Sequence, residues 1–179
     1  VGNNFYISDG TDGIYIYPNN TAYRTVIEYG KVVIVKGTIT TYNGLREVQS
    51  IESIEEVDDE IDYQISDVTL YDLNDYPSLS VNLKGLIVGN INSLPSDFGT
   101  GSKDAIFEVT DGKIVYTLIF HKNLKTAVKT SLYKALKDLT VGDVINLDNV
   151  VVSYYQGVKL AFTDQTKQIQ DVSDFLRVD

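Results

Sequence analysis

The 179-residue chain has no cysteine, methionine or tryptophan, a single histidine and only three prolines. Without thiols it can form no disulfide, thiolate metal centre or cysteine nucleophile. With His121 as its one imidazole, neither a multi-histidine metal site nor a paired-histidine mechanism can be assembled. No apolar run approaches the roughly 20 residues that a membrane-spanning helix needs, so no membrane span is expected. The start of the chain lacks the charged, then apolar, then small-residue order of a signal peptide. Beginning at Val1 without an initiator methionine, it reads as a fragment or mature form of a longer protein. Carboxylates are plentiful, but no spacing sets a pair across a recognisable cleft, and His121 has no nucleophile beside it. The expectation is a non-catalytic protein without cofactor or metal.

Basic residues are also scarce, and their distribution is informative. The formal net charge is −10. Residues 1–50 carry four acids and four bases, and residues 79–179 carry eleven of each, so both sum to zero. The excess lies between Glu52 and Asp75, where ten acids stand without a base. Two near-neutral units flank an acidic joint, and overall pI alone does not exclude nucleic acid as a partner. The joint is read as a solvated linker. The rival reading docks it on a lysine-rich helix face further along the chain.

What is present is mostly strand. Phe5-Tyr6-Ile7-Ser8 and Ile14-Tyr15-Ile16-Tyr17 alternate about the turn Asp9-Gly10-Thr11-Asp12-Gly13. Lys31 to Thr41 is a Val/Ile/Thr-rich strand, Asn43-Gly44 a hairpin turn, and Leu45 to Ile51 its return. This order recurs. Phe5-Tyr6-Ile7-Ser8-Asp9-Gly10 matches Phe107-Glu108-Val109-Thr110-Asp111-Gly112 at an offset of 102. Tyr29-Gly30-Lys31-Val32-Val33 matches Val141-Gly142-Asp143-Val144-Ile145 at an offset of 112, and Tyr42-Asn43-Gly44-Leu45-Arg46 matches Tyr155-Gln156-Gly157-Val158-Lys159 at 113. The extra ten residues fall in one place, between the third and fourth strands, so the pattern is a tandem duplication with one insertion. That insertion is a helix, with Leu124, Val128, Leu132, Ala135, Leu136 and Leu139 on one stripe and Lys122, Lys125, Lys129, Lys134 and Lys137 largely opposite.

A strand at Leu79–Ile91, then strand, strand, helix, strand, strand is the order of the OB-fold, a five-stranded Greek-key barrel. The chain is therefore expected to be mainly β, a tandem of OB-fold-like barrels. Residues 1–55 form a first unit that lacks its opening strand and has its helix shortened to Asn19–Ile27, with Val1-Gly2-Asn3-Asn4 as the turn after the missing strand. Residues 56–78 form the acidic linker, and residues 79–179 a complete second unit with its helix between the third and fourth strands.

The segments 5–17, 29–39 and 42–44, repeated in the second copy with Leu139-Thr140-Val141-Gly142-Asp143-Val144, resemble the OB-like modules of bacterial secreted and cell-surface proteins, such as those attached to extracellular nucleases and phosphoesterases. Val68-Thr69-Leu70-Tyr71-Asp72-Leu73 is similar to the segment preceding the first strand in that family. The resemblance spans nearly the whole chain through turn and strand motifs. It implies an extracellular or cell-surface location and a non-catalytic accessory role in nucleic-acid binding.

An OB-fold usually binds on the face of its second and third strands, flanked by two loops. Alternation turns Phe5, Ile7, Ile14 and Ile16 inward and Tyr6, Tyr15 and Tyr17 outward, with Tyr42 and Arg46 on the neighbouring hairpin. These five are the candidate ligand residues, for single-stranded nucleic acid or, on the same tyrosines, a glycan. Cross-strand tyrosines that only stabilise the sheet are the plainer reading. Asp9-Gly10-Thr11-Asp12-Gly13 superficially suggests a calcium loop but lacks the ligand count and terminal Glu of an EF-hand, so a hairpin turn is expected. The helical lysines could contact phosphates, yet a solvated helix face accounts for them. A structural spacer or protein-interaction module is the alternative role, in which the absent strand is supplied by the parent protein, a partner protein or a second copy of the chain.

Overall fold

A computed structural model describes residues 4–18 and 27–164. The expected turn at Val1–Asn3, the shortened helix over residues 19–26, Arg24, and residues 165–179 of the second unit lie outside the described residues. The strands are β1 (Phe5–Ser8), β2 (Gly13–Ile16), β3 (Val32–Tyr42), β4 (Leu45–Val57), β5 (Ser66–Asp67), β6 (Ser80–Ser93), β7 (Ala105–Thr110), β8 (Val115–Phe120), β9 (Val144–Ser153) and β10 (Lys159–Ala161). The helix α1 spans Thr126–Leu136.

In the second unit the hydrogen-bonded order is β6-β7-β8-β10-β9, and β9 pairs back to β6. The sheet thus closes on itself as a five-stranded barrel, with β5 added alongside β6. The pairing β8–β10 is parallel, whereas β6–β7, β6–β9, β7–β8 and β9–β10 are antiparallel. With α1 between the third and fourth barrel strands, this is the OB topology. Its core holds Val81, Leu83, Leu86, Val88, Phe107, Val109, Leu118, Phe120, Ile145, Leu147 and Leu160, alternate residues of the five strands. Val128, Leu132 and Leu136, spaced as one helical face, are buried in the same cluster.

The first unit is a four-stranded sheet in the order β1-β2-β4-β3, with β2 and β4 parallel and the other pairs antiparallel. Aligned through the repeat, β1, β2, β3 and β4 stand for β7, β8, β9 and β10. The order is therefore the OB order with the position of β6 unfilled among the described residues. Its buried cluster is small: Ile16, Val48 and Ile51, with Phe5, Ile7, Ile14, Val35 and Ile54 packed against it.

Turn chemistry repeats with the strands. The Asp9 carboxylate accepts hydrogen bonds from the Thr11 and Asp12 amides, as Asp111 does from Lys113 and Ile114. The Ser8 hydroxyl accepts from Gly10 N as the Thr110 hydroxyl does from Gly112 N. These bonds hold the Asp9 carboxyl down at about 2 and the Asp111 carboxyl below its usual value. The Asp9 carboxylate is thus committed to its hairpin, as a turn requires.

One expectation about charge is corrected. Lys129 does not lie on a solvated face: it is buried, and its ammonium donates to the Gly101 carbonyl oxygen at 2.8 Å. The acidic joint, read as a solvated linker, keeps most of its acids exposed, and parts of it are built into the strands and turns of the two units. Glu52, Glu55 and Glu56 belong to β4, Asp67 pairs with Lys84 at 2.6 Å, and Asp72 accepts from Thr69 N and Oγ1. Leu70 and Leu73 beside them are buried in the second core. No helix among the described residues is long and apolar enough to cross a membrane.

Candidate binding surface at the seam between the two units

The inward residues fall where alternation places them, and Tyr6 faces Tyr15 across β1 and β2 with ring centroids 4.8 Å apart. The outer face they share is not open to solvent. Tyr6 makes a side-chain hydrogen bond with Ser153 of β9, and burial pushes its hydroxyl up to about 12. Tyr15 accepts a hydrogen bond from Asn4 at 2.8 Å, and burial raises its pKa as well. Glu47, paired in register with Tyr15, is buried on the same side, and Gln49 Nε2 donates to it. Tyr6 and Tyr15 line a polar cleft of about 150 Å³ with Asn4, His121, Asn123 and Thr163. Desolvation there lowers the His121 pKa, against the pull of Asp104, whose carboxylate lies 3.9 Å from Nδ1.

Two glycines show how closely the units meet. A side chain at Gly13, the first residue of β2, would collide with the Ser78 carbonyl. A Cβ at Gly44, on the β3–β4 turn, would stand 2.9 Å from the Tyr154 carbonyl oxygen. At that contact the equivalent hairpins of the two copies touch. Gln156 N donates to Asn43 O at 2.7 Å, and the Tyr42 and Tyr155 rings stack at 6.0 Å and 28°. Lys159 Nζ lies 6.0 Å from the centre of the Tyr155 ring.

The five sequence candidates are thus divided. Tyr6 and Tyr15 are packed into the seam. Tyr42 is on the same side but 54% exposed, and Tyr17 is 42% exposed. Arg46 is exposed, but strand alternation places it on the face of Val48, opposite Glu47 and Tyr15. Sequence reasoning passed over Tyr155, 37% exposed, and Lys159. The signal was at hand, because the repeat aligns Tyr42 with Tyr155 and Arg46 with Lys159. Among the described residues no group of three or more His, Asp or Glu side chains could hold a metal ion.

A closed OB barrel joined to an open sheet of the same strand order defines a tandem OB-fold protein. Among solved structures the chain is similar to a murine DNA-binding protein bound to double-stranded DNA, at 15% identity and a TM-score of 0.38, over 90% of this chain and 80% of that one. It is also similar to the tetrameric p202 HIN2 domain, at 13% identity and 0.38 over 90% and 76%, and to a replication protein A heterotrimer bound to single-stranded DNA, at 16% and 0.34 over 90% and 41%. No protein-family model matches the chain, and no curated protein is similar to it in sequence. The strand order, not these distant likenesses, identifies the fold.

Proposed function

We propose that the chain is a non-catalytic binding module of a larger secreted or cell-surface bacterial protein, and that it takes single-stranded nucleic acid on the ridge formed by its two paired hairpins. The observation that carries this reading is the exposed pair Tyr42 and Tyr155 with the Lys159 ammonium beside it. Aromatic faces stack on bases, and a neighbouring cation attracts the phosphates between them. Tyr17 is a further exposed ring for a longer strand, whereas Tyr6 and Tyr15 serve to hold the units together. The secreted, bacterial setting is supported by the likeness of the turn and strand motifs.

The test is a fluorescence-anisotropy titration of a labelled oligonucleotide at about 50 mM salt, where phosphate contacts are strong. Tyr42→Ala and Tyr155→Ala are expected to weaken binding about 5- to 100-fold each, the range for loss of one stacked base. Lys159→Ala should reduce the salt dependence. A glycan panel run alongside addresses the rival ligand. Glycan binding lost in the same tyrosine variants, with no oligonucleotide bound, would reassign the ridge to carbohydrate. No binding of either would leave the spacer role.

A further inference from the structure

The cleft at the seam contains polar groups whose bonding is incomplete. It measures about 150 Å³ and is lined by Asn4, Tyr6, Tyr15, His121, Asn123 and Thr163. The Thr163 hydroxyl oxygen is buried without a hydrogen-bond partner. A buried hydroxyl left unbonded costs stability, so it calls for a partner from outside the fold. Tyr15 accepts from the Asn4 amide at 2.8 Å, which leaves its own O–H hydrogen to give. Asn123, exposed beside them, adds a donor and an acceptor.

Charge narrows the kind of ligand. Among the described residues no lysine or arginine lines the cleft. The buried Glu47 raises both tyrosine pKa values through its charge, and desolvation lowers that of His121, which keeps the imidazole neutral. A phosphate would meet a negative field and no cation. A neutral ring with donors and acceptors along its edge meets the groups just named. The volume falls below the roughly 300–1,000 Å³ of pockets for drug-sized ligands, so the cleft takes one ring rather than several.

The cleft also adjoins the ridge. Leu160 and Phe162 point into the second core, so Lys159, Ala161 and Thr163 alternate on the outer face. Ala161, which borders the cleft, follows Lys159 by about 7 Å at about 3.3 Å per strand residue. Tyr155 N donates to Ser153 Oγ at 3.4 Å, and that hydroxyl bonds to Tyr6. The Lys159 charge is felt at His121.

We propose that the cleft is a nucleobase pocket, which receives one unstacked base of a strand lying on the ridge and reads its edge through Thr163, Asn123 and the Tyr15 hydroxyl. The phosphates stay outside it, at Lys159. This deepens the function proposed above, on which it rests for a nucleic-acid ligand.

The test uses free nucleosides, which carry no phosphate and are too small to span the ridge. His121 is the one histidine of the chain, so its imidazole C–H signals stand alone in a proton NMR spectrum recorded in heavy water. Titration with adenosine, guanosine, cytidine and thymidine is expected to shift them saturably, with one nucleoside bound at least threefold more tightly than another. Asn123→Ala and Thr163→Val should each weaken that binding about fivefold, the loss of one hydrogen bond. Thr163→Val should leave the urea midpoint unchanged or raised, because the hydroxyl has no partner in the fold. A lowered midpoint means that the hydroxyl is bonded within the protein, and overturns the proposal. Equal affinity for all four nucleosides overturns it too, because the base edge is then not read. So does an equal shift with free ribose, which gives the cleft to a sugar. No shift with any nucleoside overturns the pocket, and the ridge survives if oligonucleotides still bind through Tyr42 and Tyr155. Nucleosides bound where no oligonucleotide binds uphold the pocket and overturn the ridge.

Discussion

Gly13 opens β2 where its Cα faces the Ser78 carbonyl, so the seam is set partly by a side chain that is not there. Gly13→Ala should destabilise the fold by about 1–3 kcal/mol, because the obstacle is backbone and cannot rotate away. Urea unfolding reads this directly, and a change near zero would mean the two units stand further apart in solution. Tyr6 makes the same seam sensitive to alkali. Its hydroxyl is held protonated up to about 12, against about 10 for a free tyrosine, because burial disfavours the phenolate. A raised folded-state value means that the folded chain keeps a proton the unfolded chain gives up. The stabilisation is whole below pH 10 and declines as pH rises from 10 towards 12. Tyr6→Phe should flatten that part of the stability profile, and its loss should remove the latest-titrating phenol from an absorbance titration. An unchanged profile would place the Tyr6 hydroxyl in water.

At the scale of elements, α1 closes the second barrel with Val128, Leu132 and Leu136. Leu132→Ala should cost about 2–5 kcal/mol through lost burial and the cavity left behind. Thermal or urea unfolding with no such loss would detach the helix from the core. The elements themselves were readable in the chain because each is punctuated twice. The Asp-Gly and Asn-Gly turns of the first copy recur as Asp-Gly and Gln-Gly in the second, at offsets that change by ten at the inserted helix and by one more in the strand after it. The end of β4 was not readable, because Ser53 to Val57 gains its strand conformation from pairing with Val32 to Lys36 rather than from its own propensities. Lys129 was misread for a similar reason. A helical wheel gives its angle, but not the Gly101 carbonyl that awaits it on the adjoining loop.

At the scale of the molecule, alternation separates the inside of a barrel from its outside, but it does not say which part of the outside meets water. Tyr6, Tyr15 and Tyr42 point outward as the pattern requires, and the second unit then covers the first two. The site was legible as a set of tyrosines and illegible as a surface, since the covering atoms lie more than a hundred residues away in sequence. The duplication itself supplies the contact, for Tyr42 and Tyr155 are the same residue of the two copies and stack on each other. If that stack joins the units, its removal should register as coupling rather than as two separate losses. A double-mutant cycle on Tyr42→Ala and Tyr155→Ala in urea should return an interaction energy of about 0.5–1.5 kcal/mol, the range for an aromatic pair beyond its buried area. The unfolding should remain a single transition, because the Asn43–Gln156 backbone hydrogen bond still crosses the seam. A coupling near zero would separate the two rings in solution, and with them the continuous ridge on which the proposed strand of nucleic acid lies.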